Sequence, residues 1–276
     1  MAPSKNINQK YRFKFSKLFN IFLYYNTGQR PGIICDNTLF SISLLRRRVD
    51  IFMIKITGLV KTLYGGGHEV KILKSLDLTI PTGQFLAITG QSGSGKTTLL
   101  SLIAGLDNTT GGQIVIDGQD ITKLDEDELA LLRGKRFGFI FQDFHLIPTL
   151  TAIENVVLAA ELNGTPGATK KANDLLGTVG LGDRLHHYPA QLSGGEQQRL
   201  SLARAFVNEP DIILADEPTG NLDSTNSERI IELILELHRV KQATIILVTH
   251  ETHVAQRTER ILTLADGQII SDRLNP

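Results

Sequence analysis

Residues 90–97 read GQSGSGKT, and their flanks decide how the chain folds. Phe85-Leu-Ala-Ile-Thr before them is a short apolar run expected as a buried strand. Thr98-Leu-Leu-Ser-Leu-Ile-Ala-Gly-Leu after them is expected as a helix. Strand, glycine loop and helix in that order make a phosphate cradle. The glycines let successive backbone N–H groups turn inward, and the helix start adds partial positive charge. Gly90, Gln91, Ser92, Gly93, Ser94 and Gly95 form the cradle, with Thr98 just beyond it. Lys96 is expected to reach the β- and γ-phosphates, and the Thr97 hydroxyl to sit on Mg²⁺. A glycine-rich turn before an ordinary helix is the bland alternative, and the flanking strand and helix weigh against it. The G-x-G-x-x-G spacing of a dinucleotide fold is absent. The loop is expected to bind a nucleoside triphosphate.

Outward from the loop, strands alternate with helices. Residues 54–60 and 70–80 read as strands, and Pro81-Thr-Gly turns the chain into the strand before the loop. Further strands are expected at 113–118, 137–141, 211–215 and 243–248, with a closing pair around Ala265-Asp-Gly. Helices are expected at 125–133, 151–162, 168–176 and 224–238. Ile230, Leu233, Ile234 and Leu237 form a core-facing stripe on the last. Such alternation predicts a mainly parallel sheet covered on both faces.

Residues 1–52 differ from the rest. They hold six of the 12 Phe, three of the five Tyr and a net charge of +7, leaving −7 for the remainder of a chain neutral overall. They show no helical or alternating period. They read either as a basic-aromatic arm for a membrane surface or targeting, or, the preferred reading, as sequence ahead of a true start at Met53. The folded domain is then expected over 53–276. An acidic body gives no electrostatic case for nucleic acid as a partner. Cys35 is the lone cysteine, which excludes an internal disulfide and fits a reducing compartment. No apolar run approaches the ~20 residues of a membrane-spanning helix, so the chain is expected to be soluble and to act on a membrane only through a partner.

Two other constellations carry chemistry. Asp211-Ile-Ile-Leu-Ala-Asp216-Glu217 is an apolar strand ending in two carboxylates, at the sheet edge where ligands of open α/β sheets bind. Asp216 is expected to hold Mg²⁺ as a hard oxygen ligand, and Glu217 to polarise the attacking water. LSGGEQQR at 192–199 opens a helix that Ser193 can cap. Combined with a phosphate loop whose Lys96 lies 97 residues before Ser193, this octet resembles the signature of the ATP-binding-cassette ATPases. Ser193, Gly194, Gly195 and Glu196 are then the signature residues at the nucleotide.

The resemblance covers 53 to about 268 and implies a mixed α/β P-loop core, an antiparallel β subdomain and a helical subdomain at about 143–200. It implies that Gln142 is the Q-loop glutamine and a further Mg²⁺ ligand, His250 the switch histidine and Asp223 the D-loop aspartate. Tyr64 would stack on adenine, with His68 a rival. Each of these has a plain surface or capping reading taken alone; their order along the chain argues for the set. His186, His187 and His253 lack a third ligand at zinc-like spacing and are read as surface residues.

FQDFHLIPTL and ADEPTGNLD further resemble the branch serving lipoprotein release, macrolide efflux and the cell-division complex. The implied machine is a head-to-tail dimer that hydrolyses ATP with Mg²⁺ and drives an integral membrane permease. It would work at the cytoplasmic face of the inner membrane, held there through the permease. A transmembrane signalling complex of cell-division type is the alternative, and a soluble ATPase of DNA repair or translation a more distant one.

Overall fold

The computed structural model describes residues 52–65 and 68–275. The readings of the basic leader and the Met53 start fall mainly on residues 1–51, outside the described residues, as do Gly66 and Gly67.

Two sheets organise the chain. In the first, β1 (Phe52–Gly65), β2 (His68–Pro81), β4 (Gly111–Ile116) and β5 (Gln119–Asp120) pair antiparallel in the order β2-β1-β4-β5. Polar residues face out along β2 while Leu73, Leu76, Leu78 and Ile80 face the core, as a one-sided sheet requires. The second sheet runs β10-β9-β3-β8-β7-β6. Its members are β3 (Phe85–Thr89), β6 (Phe137–Phe141), β7 (Ile212–Asp216), β8 (Thr244–Val248), β9 (Arg260–Ala265) and β10 (Gln268–Leu274). All run parallel except β10, a hairpin partner of β9. The parallel strands are nearly continuous apolar runs because both faces are covered. The expected mixed sheet and antiparallel subdomain are both present.

Helix α1 (Lys96–Ile103) follows β3, starting two residues earlier than expected and ending where Gly105 turns to φ +61°. Helix α2 (Glu126–Arg136) places acids in its first turn, bases in its last, and an Asp125–Glu128 capping box at its start. Helices α3 (Ala152–Leu162) and α4 (Ala168–Thr178) fold against α5 (Gly194–Phe206). They share a core of small and branched side chains, among them Val156, Ala160, Ala172, Leu176, Leu200 and Ala203. Helix α6 (Ser224–Lys241) covers the other sheet face, and α7 (Thr252–Ala255) is a single turn. The buried stripe of α6 is Ile230, Ile231, Ile234 and Leu237; Ile231 takes the place expected for Leu233, which is only half-buried. A helix laid on a twisted sheet buries a band wider than one i, i+3, i+4 row.

Helix α5 is seated on the sheet with almost no gap. A Cβ at Gly138 on β6 would stand 2.4 Å from the Ala205 carbonyl oxygen and 2.6 Å from Ile213 Cδ1. Backbone cannot retreat as a flexible side chain can. Gly138→Ala is therefore expected to destabilise the protein by about 1–3 kcal/mol through overpacking. A urea-unfolding midpoint equal to that of the unsubstituted protein would show the contact to be looser than described.

Candidate nucleotide site

Parallel pairing brings three strand ends level. Val248 at the end of β8 is the register partner of both Ile88 on β3 and Asp216 on β7. The loop after β3, the carboxylates after β7 and His250 after β8 therefore meet at one edge. They enclose a cavity of about 550 Å³ lined by Gly90, Gln91, Ser92, Gly93, Gly95, Lys96, Thr97, Thr98, Glu217 and His250, with Ile72 from β2.

The loop keeps its shape through backbone that side chains tolerate poorly. Gly95 lies at φ +102°, and Gly90 at φ +148° is so close to β9 that a Cβ would fall 2.1 Å from the Leu264 carbonyl. Lys96 is buried, and its Nζ donates to the Gly90 and Gln91 carbonyls at 2.9 and 3.0 Å. The ammonium is thus folded onto its own loop, and an incoming phosphate can recruit it. Ser94 Oγ is buried with no hydrogen-bond partner among the described residues. A glycine cradle, a buried ammonium and a spare hydroxyl suit a phosphate.

Thr97 Oγ1 donates to Asp216 Oδ1 at 3.5 Å, so a hydroxyl and a carboxylate stand together beside the cradle. These are hard oxygen donors of the kind Mg²⁺ takes, one or two from protein and the rest from water and phosphate. Burial pushes the Asp216 carboxyl above the ordinary carboxylate range; the Thr97 hydroxyl opposes that shift, Glu217 adds to it, and Lys96 opposes it. Glu217 sits at φ +45°, its N–H donating to the Val248 carbonyl at 3.0 Å. Its Oε2 lies 3.2 Å from His250 Nδ1 at the cavity mouth.

Other expected site residues stand apart from this cavity. Tyr64 is 76% exposed near the end of β1, and His68, its rival, is exposed at the start of β2. Gln142 does not line the cavity; its Nε2 donates to Asn221 Oδ1 at 3.1 Å, while Asn221 Nδ2 donates back to the Gln142 carbonyl and to Asp143 Oδ1. Ser193 caps α5, and Glu196 closes the box by accepting from both the Ser193 N–H and its hydroxyl at 2.8 Å. Those bonds hold the Glu196 carboxyl below its usual range. Gly194 and Gly195 follow at the helix start, where a Cβ on Gly195 would meet Asn226 Oδ1 at 2.5 Å. Asp223 caps α6 by accepting from Asn226 N–H at 3.0 Å. The signature and D-loop residues thus pack together, away from the chain's own phosphate cradle. His186 and His253 are exposed, and His187 pairs with Arg184. Ile72 and Asn221 escaped the sequence reading: strand alternation marks Ile72 only as a face, and Asn221 sits inside a motif without a charge to single it out.

The sequence profile described as ABC transporter matches residues 73–220. The macrolide export ATP-binding/permease protein MacB of Brucella abortus is 49% identical over 222 residues, which are 80% of this chain and 34% of that protein. This chain therefore spans about a third of that relative's length. The ABC transporter ATP-binding protein YbbA of Escherichia coli K12 is 47% identical over 219 residues, 79% of this chain and 96% of that protein. Among solved structures, the dimeric post-hydrolysis state of the ATP-binding cassette MJ0796 bound to ADP and Pi superposes with a TM-score of 0.76 at 40% identity. That likeness covers 81% of this chain and 99% of the cassette.

Burial of Asp216 has a consequence for stability. Its folded pKa is raised above the unfolded value, so its stabilising contribution is present below the unfolded pKa of ~4 and lost as pH rises through the folded pKa. In nucleotide-free protein treated with a chelator, Asp216→Asn is expected to raise the thermal midpoint at pH 7. The gain should shrink toward zero below about pH 4. A variant no more stable than its parent at pH 7 would rule out burial as the dominant influence on this carboxyl.

Proposed function

The chain belongs to the ABC transporter family, and from that footing we propose that it is the ATP-hydrolysing subunit of a membrane export complex, working as a head-to-tail pair. One observation carries this reading. The phosphate cradle, Glu217 and His250 face one cavity, whereas the capped mouth of α5 at Ser193 opens elsewhere. A single copy holds two half-sites that do not meet. Two copies arranged head to tail join each cradle to the other copy's helix mouth, where Ser193, Gly194 and Gly195 offer an N-terminal dipole and N–H groups to the γ-phosphate.

In the joined site, Lys96 leaves the Gly90 and Gln91 carbonyls for the phosphate oxygens, and Tyr64 stacks on the adenine. Thr97, Asp216 and Gln142 would hold Mg²⁺, which would offset charge on the phosphate oxygens; in the single chain the Gln142 amide is bonded to Asn221. Glu217 orients a water for in-line attack at the γ-phosphorus and takes up its proton as the bond to the bridging oxygen breaks. His250, hydrogen-bonded to Glu217, contacts the γ-phosphate from the cavity mouth. ATP favours the closed pair through contacts that ADP cannot make, so hydrolysis reverses the closure.

A helical subdomain at about 143–200, within an ATPase domain of 53–276, takes in α3, α4 and the start of α5. It borders a groove of about 970 Å³ running between α2, β6 and α5. Leu106, Leu131 and Leu162 stand exposed on its walls, and Arg133, Lys135 and Arg204 outnumber Asp127 among its charged residues. This groove receives the permease, through a segment that is apolar with acidic flanks. No helix among the described residues is long and apolar enough to cross a membrane. Attachment to the cytoplasmic face of the inner membrane therefore runs through that partner.

Glu217→Gln is expected to keep ATP binding and to trap the closed pair, while turnover falls by a factor on the order of 10²–10³. Sedimentation with and without MgATP reads the pairing and phosphate release reads the turnover. A variant that stays single in excess MgATP contradicts the two-copy site, and near-normal hydrolysis removes Glu217 from its role. Lys96→Ala is expected to lose nucleotide affinity in direct titration; undiminished affinity would exclude Lys96 from the cradle.

A further inference from the structure

Helix α5 carries a polar side chain that neither the cavity nor the helix mouth uses. Gln198 has no exposed surface. Its Nε2 donates to the Pro218 carbonyl at 2.7 Å and to the Phe141 carbonyl at 3.4 Å. Pro218 directly follows Glu217, and Phe141 directly precedes Gln142. One carboxamide therefore ties together the two backbone segments that carry the expected hydrolytic residues. Its Oε1 has no donor among the described residues, so the two carbonyls alone orient the amide.

Packing does not account for this choice. A buried amide carries a desolvation cost that Leu or Met would avoid, and only its hydrogen bonds offset that cost. Glu217 lies at φ +45°, a conformation that persists in a non-glycine residue only where its surroundings over-determine it. The carbonyl that Gln198 holds is the next one along. Two helical turns further on, Ala205 abuts Gly138 backbone to backbone, so α5 cannot slide along β6 independently.

We propose that Gln198 is a positioning residue for ATP hydrolysis. It couples the helix whose mouth meets the second copy's nucleotide to the turn and strand end that aim Glu217 and Gln142 at the chain's own. This inference rests on the two-copy reading given above. When α5 shifts on meeting nucleotide, the Glu217 turn and the Gln142 strand end move with it as one piece, and hydrolysis at one half-site feels occupancy of the other.

Gln198→Met keeps the volume and removes the donor; Ser201→Ala, on the same helix at a buried hydroxyl with no hydrogen-bond partner among the described residues, is the control for disturbing that helix. With the full chain, kcat of Gln198→Met is expected to fall 10- to 100-fold, on the order of the loss from misplacing a reacting group. KM should stay within about threefold, and MgATP-driven pairing in a Glu217→Gln background should persist. Ser201→Ala should match its parent. Wild-type kcat in Gln198→Met overturns the proposal, and so does a loss of nucleotide affinity or pairing that parallels the loss of kcat. Should Gln198→Met not fold, Gln198→Asn retains a buried amide but withdraws it by one methylene. A drop in kcat at unchanged affinity then supports the proposal and an unchanged kcat refutes it. If Glu217→Gln alone never pairs, the two-copy reading fails instead.

Discussion

The parallel register of β3, β8 and β7 is the constraint on which the site depends. Because Val248 stands opposite both Ile88 and Asp216, the phosphate loop, the acidic pair and His250 leave the sheet at one level. Strands paired in parallel and buried on both faces hold their register because a slip would unmatch close-packed side chains and leave buried N–H and C=O groups unpaired. The antiparallel sheet and the helices serve that core. Helix α1 covers one face and α6 the other, leaving the carboxyl edge open to ligand.

Strain gathers close to that edge. Besides Glu217, Phe144 and His145 adopt positive φ in succession, a conformation uncommon for non-glycine residues. Arg204 of α5, half-buried, holds both through their carbonyl oxygens. Asn221 fastens the neighbouring Gln142 from the opposite side. Such costly conformations persist only where the surroundings over-determine them, and here a few directed bonds do so. The bonds from Arg204 and Gln198 come from α5, which at once closes the helical core, abuts β6 at Gly138 and presents the capped mouth at Ser193.

Much of this could be read from the residues. The phosphate loop, the carboxylate pair and the capping octet announce themselves because their chemistry needs particular residue types at short, fixed spacing. Caps at Asp125, Thr151, Ser193 and Asp223 follow the same local logic, each accepting from a backbone N–H three residues on. Less legible were choices made by neighbours far along the chain. On α6, Ile231 is buried in place of Leu233 because the sheet beneath, not the helix period, sets the width of the covered band. The carboxamide of Gln198 looks no different from that of Gln197 in a string of letters; only one of them lies beneath the Glu217 turn.

By itself the sequence determined that a glycine loop and an acidic strand end carry the residue types suited to a triphosphate, and to which family its motif order belongs. Those features depend on contacts a few residues apart, which local geometry enforces. The tertiary structure decided which of them share a cavity. It put Glu217 and His250 with the cradle, Gln142 with Asn221, and Gly195 with the start of α6, because strand order and helix seating bring together residues that spacing along the chain leaves unrelated.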